Sequence, residues 1–174
     1  LIKEHKLFKS WYQLKRDQIS VISFWSKAYP SLLKEIDDPP PLLFVKGPIK
    51  LLKNCSKQYP LAVVGTRRMT AYGKMVTKKI ASELALAGAA VVSGFMYGVD
   101  VTAQQAAVKA GGKTDGALGF GFDHMVPRRH QPIFDRFISQ GNCFVTEFPP
   151  HVPPSAGTFR RRNRIVAGLS LGVI

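Results

Sequence analysis

Cysteine is scarce in this 174-residue chain: Cys55 and Cys143 stand alone, far apart in sequence. Two such thiols build neither a disulfide framework nor a four-cysteine metal site, and the cytoplasm, a reducing compartment, is the expected setting. Long apolar runs are missing too. Those present, such as Leu42–Val45 and Leu84–Ala87, fall far short of the roughly 20 residues that span a bilayer, so no membrane partner is expected. The first residues alternate apolar and charged side chains instead of building an apolar block, which argues against a secretory leader. Acidic residues are the third shortage. Eleven Asp and Glu face 25 Lys and Arg, for a formal net charge of +14, and Phe148 to Ile174 holds no acid at all. An excess of that size favours a polyanionic partner. Hydrophobic residues still make up 45 %, enough for a packed core, which excludes an intrinsically disordered chain.

The chain reads as an irregular N-terminal extension, residues 1–58, of short strands and helices packing on a regular region, residues 59–174. In the extension, Val21–Trp25 suits a short strand, Leu32, Leu33 and Ile36 are at helical spacing, Pro39–Pro41 must break any helix, and Leu42–Val45 reads as a strand. In the second region apolar strand segments alternate with helical ones. Strands are expected at Leu61–Val64, Ala89–Val92, around Ala117–Leu118 and at Cys143–Thr146. Helices are expected over Lys74–Ala87, Val101–Ala110 with Asp100 as cap, Pro132–Ile138 and near Asn163–Leu169. Such alternation is the signature of a doubly wound parallel sheet, whose ligands bind beyond the carboxyl ends of the strands.

Nucleotide and catalytic motifs fail one by one. Gly73-Lys74 is followed by Met75 and preceded by Arg68 where a P-loop needs glycine, and His124 stands where a dinucleotide fingerprint begun at Gly119 and Gly121 needs its third glycine. His5, His124, His130 and His151 lack metal-ligand spacing, Ser93 lacks the glycine of a nucleophile elbow, and Glu147 has no second carboxylate near it in sequence. No catalytic residue, metal or cofactor is therefore expected. The phosphate-binding case is better. Gly65-Thr66-Arg67-Arg68 follows a strand and precedes a helix, joining pliant backbone, a hydroxyl and guanidinium forks near a positive helix end. Ser93-Gly94 and Gly98 follow the next strand. The run Arg160–Arg164 leads into a helix close to the sheet, and Phe159 beside it could serve as a stacking face for a base or as core.

These residues, in this order, resemble a known family. Gly65-Thr66-Arg67 with Tyr72-Gly73, Ser93-Gly94 through Gly98 and Asp100, Glu147-Phe148-Pro149-Pro150, and Arg162-Asn163-Arg164-Ile165 through Ser170 are similar to the DprA (Smf) family of bacterial DNA-processing proteins. The resemblance covers roughly residues 20 to 174. It implies an extended Rossmann-like fold, a mostly parallel sheet with helices on both faces, that binds single-stranded DNA. It further implies a homodimer without enzymatic activity that protects incoming DNA in natural transformation and helps load the recombinase RecA. By position it assigns DNA contacts to Gly65, Thr66, Arg67, Ser93, Gly94, Arg162, Asn163 and Arg164. Five positions depart from the family's pattern: Tyr97 replaces an Arg, Gln104 a His, Asp115 an apolar strand residue, His130 an Asn and Arg160 a Pro. Tyr97 should make its loop less basic, and Asp115 should shorten the third strand. Members of the family continue beyond Gly172-Val173-Ile174, so truncation at the C-terminus is expected. The rival readings are a nucleoside phosphoribohydrolase-like enzyme, whose Pro-Gly-Gly-x-Gly-Thr-x-x-Glu stretch is missing, and a plain interaction domain whose charge serves solubility.

Overall fold

A computed structural model describes residues 11–49 and 59–174, so Cys55 and His5 lie outside the described residues. Seven strands form one open sheet in the order β1-β2-β6-β5-β4-β3-β7. They are β1 (Ile19–Ser23), β2 (Leu42–Lys46), β3 (Tyr59–Ala62), β4 (Ala89–Ser93), β5 (Thr114–Ala117), β6 (Cys143–Thr146) and β7 (Gly172–Val173). The five strands from β6 to β7 run parallel, while β1 and β2 extend the sheet antiparallel beyond β6. The fold is thus mixed α/β with a mostly parallel sheet, as the family resemblance implied; the alternation of residues 59–174 accounts for its parallel part.

Helices cover both faces. On one lie α1 (Ser31–Lys34) and α5 (Ala156–Gly168). Leu33, Ile165, Val166 and Leu169 pack there on Leu43, Val45, Val92, Ala117 and Val145 of the sheet. The opposite face takes α2 (Ala71–Leu86), α3 (Val99–Lys109) and α4 (Gln131–Ser139). Ala81 and Ala85 of α2 meet Ala103, Ala106 and Ala107 of α3 over Val63 and Val91, and side chains this small let the two helices approach closely. Phe134 and Phe137 of α4 close on Phe95 and Phe144, with Phe134 and Phe144 ring centroids 4.5 Å apart.

The largest departure from the sequence reading concerns α5. It starts at Ala156, seven residues before the expected start near Asn163, because Ser155 and Thr158 form a capping box in which each side chain bonds the other's backbone N–H. The arginine run therefore lies in mid-helix. A second correction concerns α3: its cap is Gly98, not Asp100, which sits buried in the first turn. Nor does Asp115 shorten the third strand. It lies within β5, which starts at Thr114, earlier than read, and its carboxyl is buried.

Candidate nucleic-acid interface

Successive strands β3, β4, β5 and β6 step across the sheet in one direction, after which α5 returns the chain to place β7 on the other side of β3. Loops diverge at such a reversal and leave a crevice at the carboxyl ends of the strands. One of about 300 Å³ opens there, lined by Gly65, Arg67, Gly94, Arg162 and Asn163, with Val64 and Val173 among its apolar walls. Gly98, at φ +81°, lets the loop after β4 press on the loop after β3: a Cβ there would collide with the Thr66 carbonyl and Arg67, and the Val99 N–H donates to that carbonyl at 3.2 Å.

Arg162 organises the site. Its side chain is 5 % exposed, and its Nη1 donates to the carbonyls of Gly94 at 2.5 Å and Ala117 at 2.6 Å, fastening the ends of β4 and β5. Nε donates to Asn163 Oδ1 at 3.2 Å. The Nη2 donors engage nothing among the described residues. A side chain at Gly94 would strike the guanidinium, so glycine is what admits it. Burial pulls the Arg162 pKa down, the Asp100 carboxylate counters that, and the Arg67 guanidinium adds to it. Asp100 is pushed above the usual carboxylate range by burial, against the pull of Arg162 and the N–H groups of Met96 and Gly94. Two guanidinium groups of like charge thus line one small crevice, an arrangement that an entering anion relieves.

The remaining residues singled out in the sequence divide. Arg67 is exposed in the crevice, its guanidinium 5.4 Å from the Phe159 ring centroid. Phe159 is half-buried and edge-on to Phe120, so its ring already carries Arg67 on one side. Thr66 turns its loop, its Oγ1 accepting from Arg68 N–H at 3.1 Å. Ser93 does not face the crevice: fully buried, it donates to the Val63 carbonyl at 2.7 Å and joins β4 to the end of β3. Arg164 is not brought to the crevice either. Its Nη1 and Nη2 grip Glu147 at 2.5 and 2.9 Å, and its Nε reaches the Asp38 carbonyl at 2.7 Å. Arg161 also pairs with Glu147, at 3.0 Å, while Arg160 is exposed. Side chains about 100° apart around a helix account for this dispersal. Arg164→Ala is expected to lower folding stability by about 2 kcal/mol, because Glu147 loses charge-assisted bonds. It should disturb anion affinity less than Arg67→Ala does. Urea midpoints and fluorescence anisotropy of the two variants check both statements.

The departures from the family's pattern also have places. Tyr97 does not leave its loop poor in charge, since the Arg129 guanidinium arrives from the segment before α4 and lies 4.2 Å from the Tyr97 ring centroid. His130 is buried against Tyr97 and Phe95, and burial lowers its pKa. Gln104 is fully buried and donates to the Asp115 carbonyl at 3.3 Å. Sequence reasoning missed Arg129 as a site residue because nothing local links it to a loop 32 positions earlier. Among the described residues no three His, Cys, Asp or Glu side chains are grouped to hold a metal ion, and no helix is long and apolar enough to cross a membrane.

A mostly parallel α/β sheet with an arginine-lined crevice at its topological reversal is the architecture of the Rossmann-like class. More particularly, the profile of the family DNA recombination-mediator protein A matches residues 20–174, and the chain belongs to that family. DNA processing protein DprA of Bacillus subtilis (strain 168) is 41 % identical over 156 residues, covering 90 % of this chain and 51 % of its own. Protein Smf of Escherichia coli (strain K12) is 39 % identical over 149 residues, covering 86 % and 39 %. The chain thus spans about half of the first of these curated relatives and less of the second. The X-ray structure of DprA from Streptococcus pneumoniae superposes with a TM-score of 0.81 at 36 % identity, over 89 % of this chain and 53 % of that one. DprA from Helicobacter pylori, described with a single-stranded DNA binding mode, superposes at 0.75 with 32 % identity, over 90 % and 67 %.

Proposed function

We propose that this chain binds single-stranded DNA in the Gly65–Arg162 crevice and acts as a recombination mediator without a catalytic step. In this reading it is a cytoplasmic homodimer that shields incoming DNA in natural transformation and helps load RecA. The supporting observation is the pairing of Arg67 with a buried Arg162 whose Nη2 donors engage nothing among the described residues. A phosphate fits those donors, Asn163 and the backbone of the Gly65 and Gly94 loops, and contacts of this kind read no sequence. Glu147, the carboxylate at a strand end that a hydrolase would need, is held by Arg161 and Arg164 instead. The H. pylori relative's single-stranded DNA binding mode points the same way.

Fluorescence anisotropy with a labelled oligothymidylate tests the proposal. Affinity is expected to fall with salt, with a log–log slope of roughly −0.7 per phosphate contacted. Arg67→Ala should weaken binding by about 1–3 kcal/mol with little change in folding. A binding constant flat in salt, or release of base from a nucleoside monophosphate, would replace this reading with another.

A further inference from the structure

The crevice opens onto something larger. Arg67 also lines a second depression of about 670 Å³, with Arg68, Lys74 and Arg129 around it and Thr102 and Gln105 of α3 at its floor. Lys74, Thr102 and Gln105 are in turn shared with a third, a groove of about 840 Å³ in which α2 supplies Lys78, α3 Lys109 and α4 Arg136. Shared lining residues, Arg67 above and Lys74, Thr102 and Gln105 below, string the three depressions into one row, a trough from the carboxyl end of the sheet down the face that α2, α3 and α4 cover.

Charge in the two lower parts of the trough has one sign. No carboxylate lines either of its two lower parts, and none of Arg67, Arg68, Lys74, Lys78, Lys109, Arg129 or Arg136 makes an ion pair among the described residues. The helical cations are exposed and come from three separate elements. Unpaired like charges held together by a fold repel one another, and the neighbour that lowers this cost is a polyanion lying along the row. The aromatic content changes along the way. The middle part has Tyr97, while the α2–α3–α4 groove has no aromatic lining and so offers a base nothing to stack on. Its chemistry suits a sugar-phosphate backbone alone.

We infer that a polynucleotide strand seated in the crevice continues over Arg67 and Arg129 into the α2–α3–α4 groove, where Lys78, Lys109 and Arg136 hold its phosphates. This rests on the reading of the crevice as a single-stranded DNA site and adds a direction and a length to it. A strand that fills only the crevice never reaches the lower groove, so binding has a length-dependent component carried by residues remote from Arg162.

The experiment compares oligothymidylates of about 4 and about 16 nucleotides, a span of site sizes seen on other single-strand binders. The proteins are the parent chain, the triple variant Lys78→Gln/Lys109→Gln/Arg136→Gln, and a charge-matched control, Lys15→Gln/Lys27→Gln/Lys34→Gln, elsewhere on the molecule. Glutamine is a good helix former, and all three groove side chains are exposed, so folding should hold. The groove variant is expected to bind the long strand roughly tenfold more weakly, with a salt slope smaller in magnitude by roughly 2, and to bind the short strand like the parent. Equal loss on both lengths, no loss on either, or the same loss in the control would overturn the inference while leaving the crevice reading intact. Failure of the parent to bind either length would remove the crevice reading itself, and this path with it.

Discussion

Arg162→Ala is expected to abolish crevice binding and to bring the domain close to unfolding. The guanidinium satisfies the buried carbonyls of Gly94 and Ala117 and faces the buried Asp100 carboxylate. Removing it leaves two acceptors unpartnered and one buried acid without its countercharge, at a cost of about 3–5 kcal/mol. That is a large part of the 5–15 kcal/mol by which an ordinary domain is stable. The effect should depend on pH. Asp100 already has a folded-state pKa above its ordinary value, so its ionisation opposes folding; without Arg162 that opposition grows and the deficit widens as pH rises through the carboxylate range. Adding Asp100→Asn should recover part of the stability and none of the binding. Arg162→Lys keeps the charge without the fork, so it should fold better than the alanine variant and still bind weakly. Urea titrations with anisotropy on each variant separate the two losses. Full binding by Arg162→Ala at a pH where it remains folded would show that the crevice does not use this side chain.

The second large effect is a gain. Asp115 lies in the middle of the sheet, its Oδ1 meets no partner among the described residues, and burial pushes its pKa up to about 7. Below the ordinary carboxylate value the acid is protonated in both states and costs the fold nothing. Between that value and about 7 the unfolded chain releases the proton while the folded chain keeps it, so stability falls as pH rises. Above about 7 the loss levels off, at up to about 4 kcal/mol. Asp115→Asn has no proton to lose. It should match the parent near pH 4 and exceed it by a few kcal/mol near pH 8 in urea unfolding. Parallel pH profiles for the two proteins would mean that the carboxyl finds water or a partner in solution.

Asp115 also shows where sequence reading loses its grip. Strands β4 and β6 are apolar runs closed by glycine or by a polar turn, and β6 falls at Cys143–Thr146 as expected. A charged residue at a buried strand position breaks that pattern, so β5 read as if it began later. The start of α5 was hidden differently: Ser155 and Thr158 cap it from behind a proline-rich loop, and apolar periodicity appears only about two turns further on. The site was legible as far as it is local. The glycine turns and Arg67 follow their strands directly, and the crevice gathers Gly65, Arg67, Gly94, Arg162 and Asn163. Roles set by distant partners were not legible. Arg164 differs from Arg162 only in that Glu147 and Asp38, 17 and 126 positions away, face its side of the helix. The basic trough was invisible for the same reason, since its cations come from three helices and the loops above them.

The two carbonyls that hold Arg162 have a kinetic consequence. A surface arginine must freeze several rotatable bonds each time it takes hold of a ligand, whereas this one is frozen when the chain folds. A ligand entering the crevice therefore meets a rigid, already dehydrated donor fork and spends little of its binding energy on ordering it. Encounter should need no rearrangement of Arg162, so its contribution falls on how long the ligand stays. Arg67, exposed and resting on one aromatic ring, is the part that can still move.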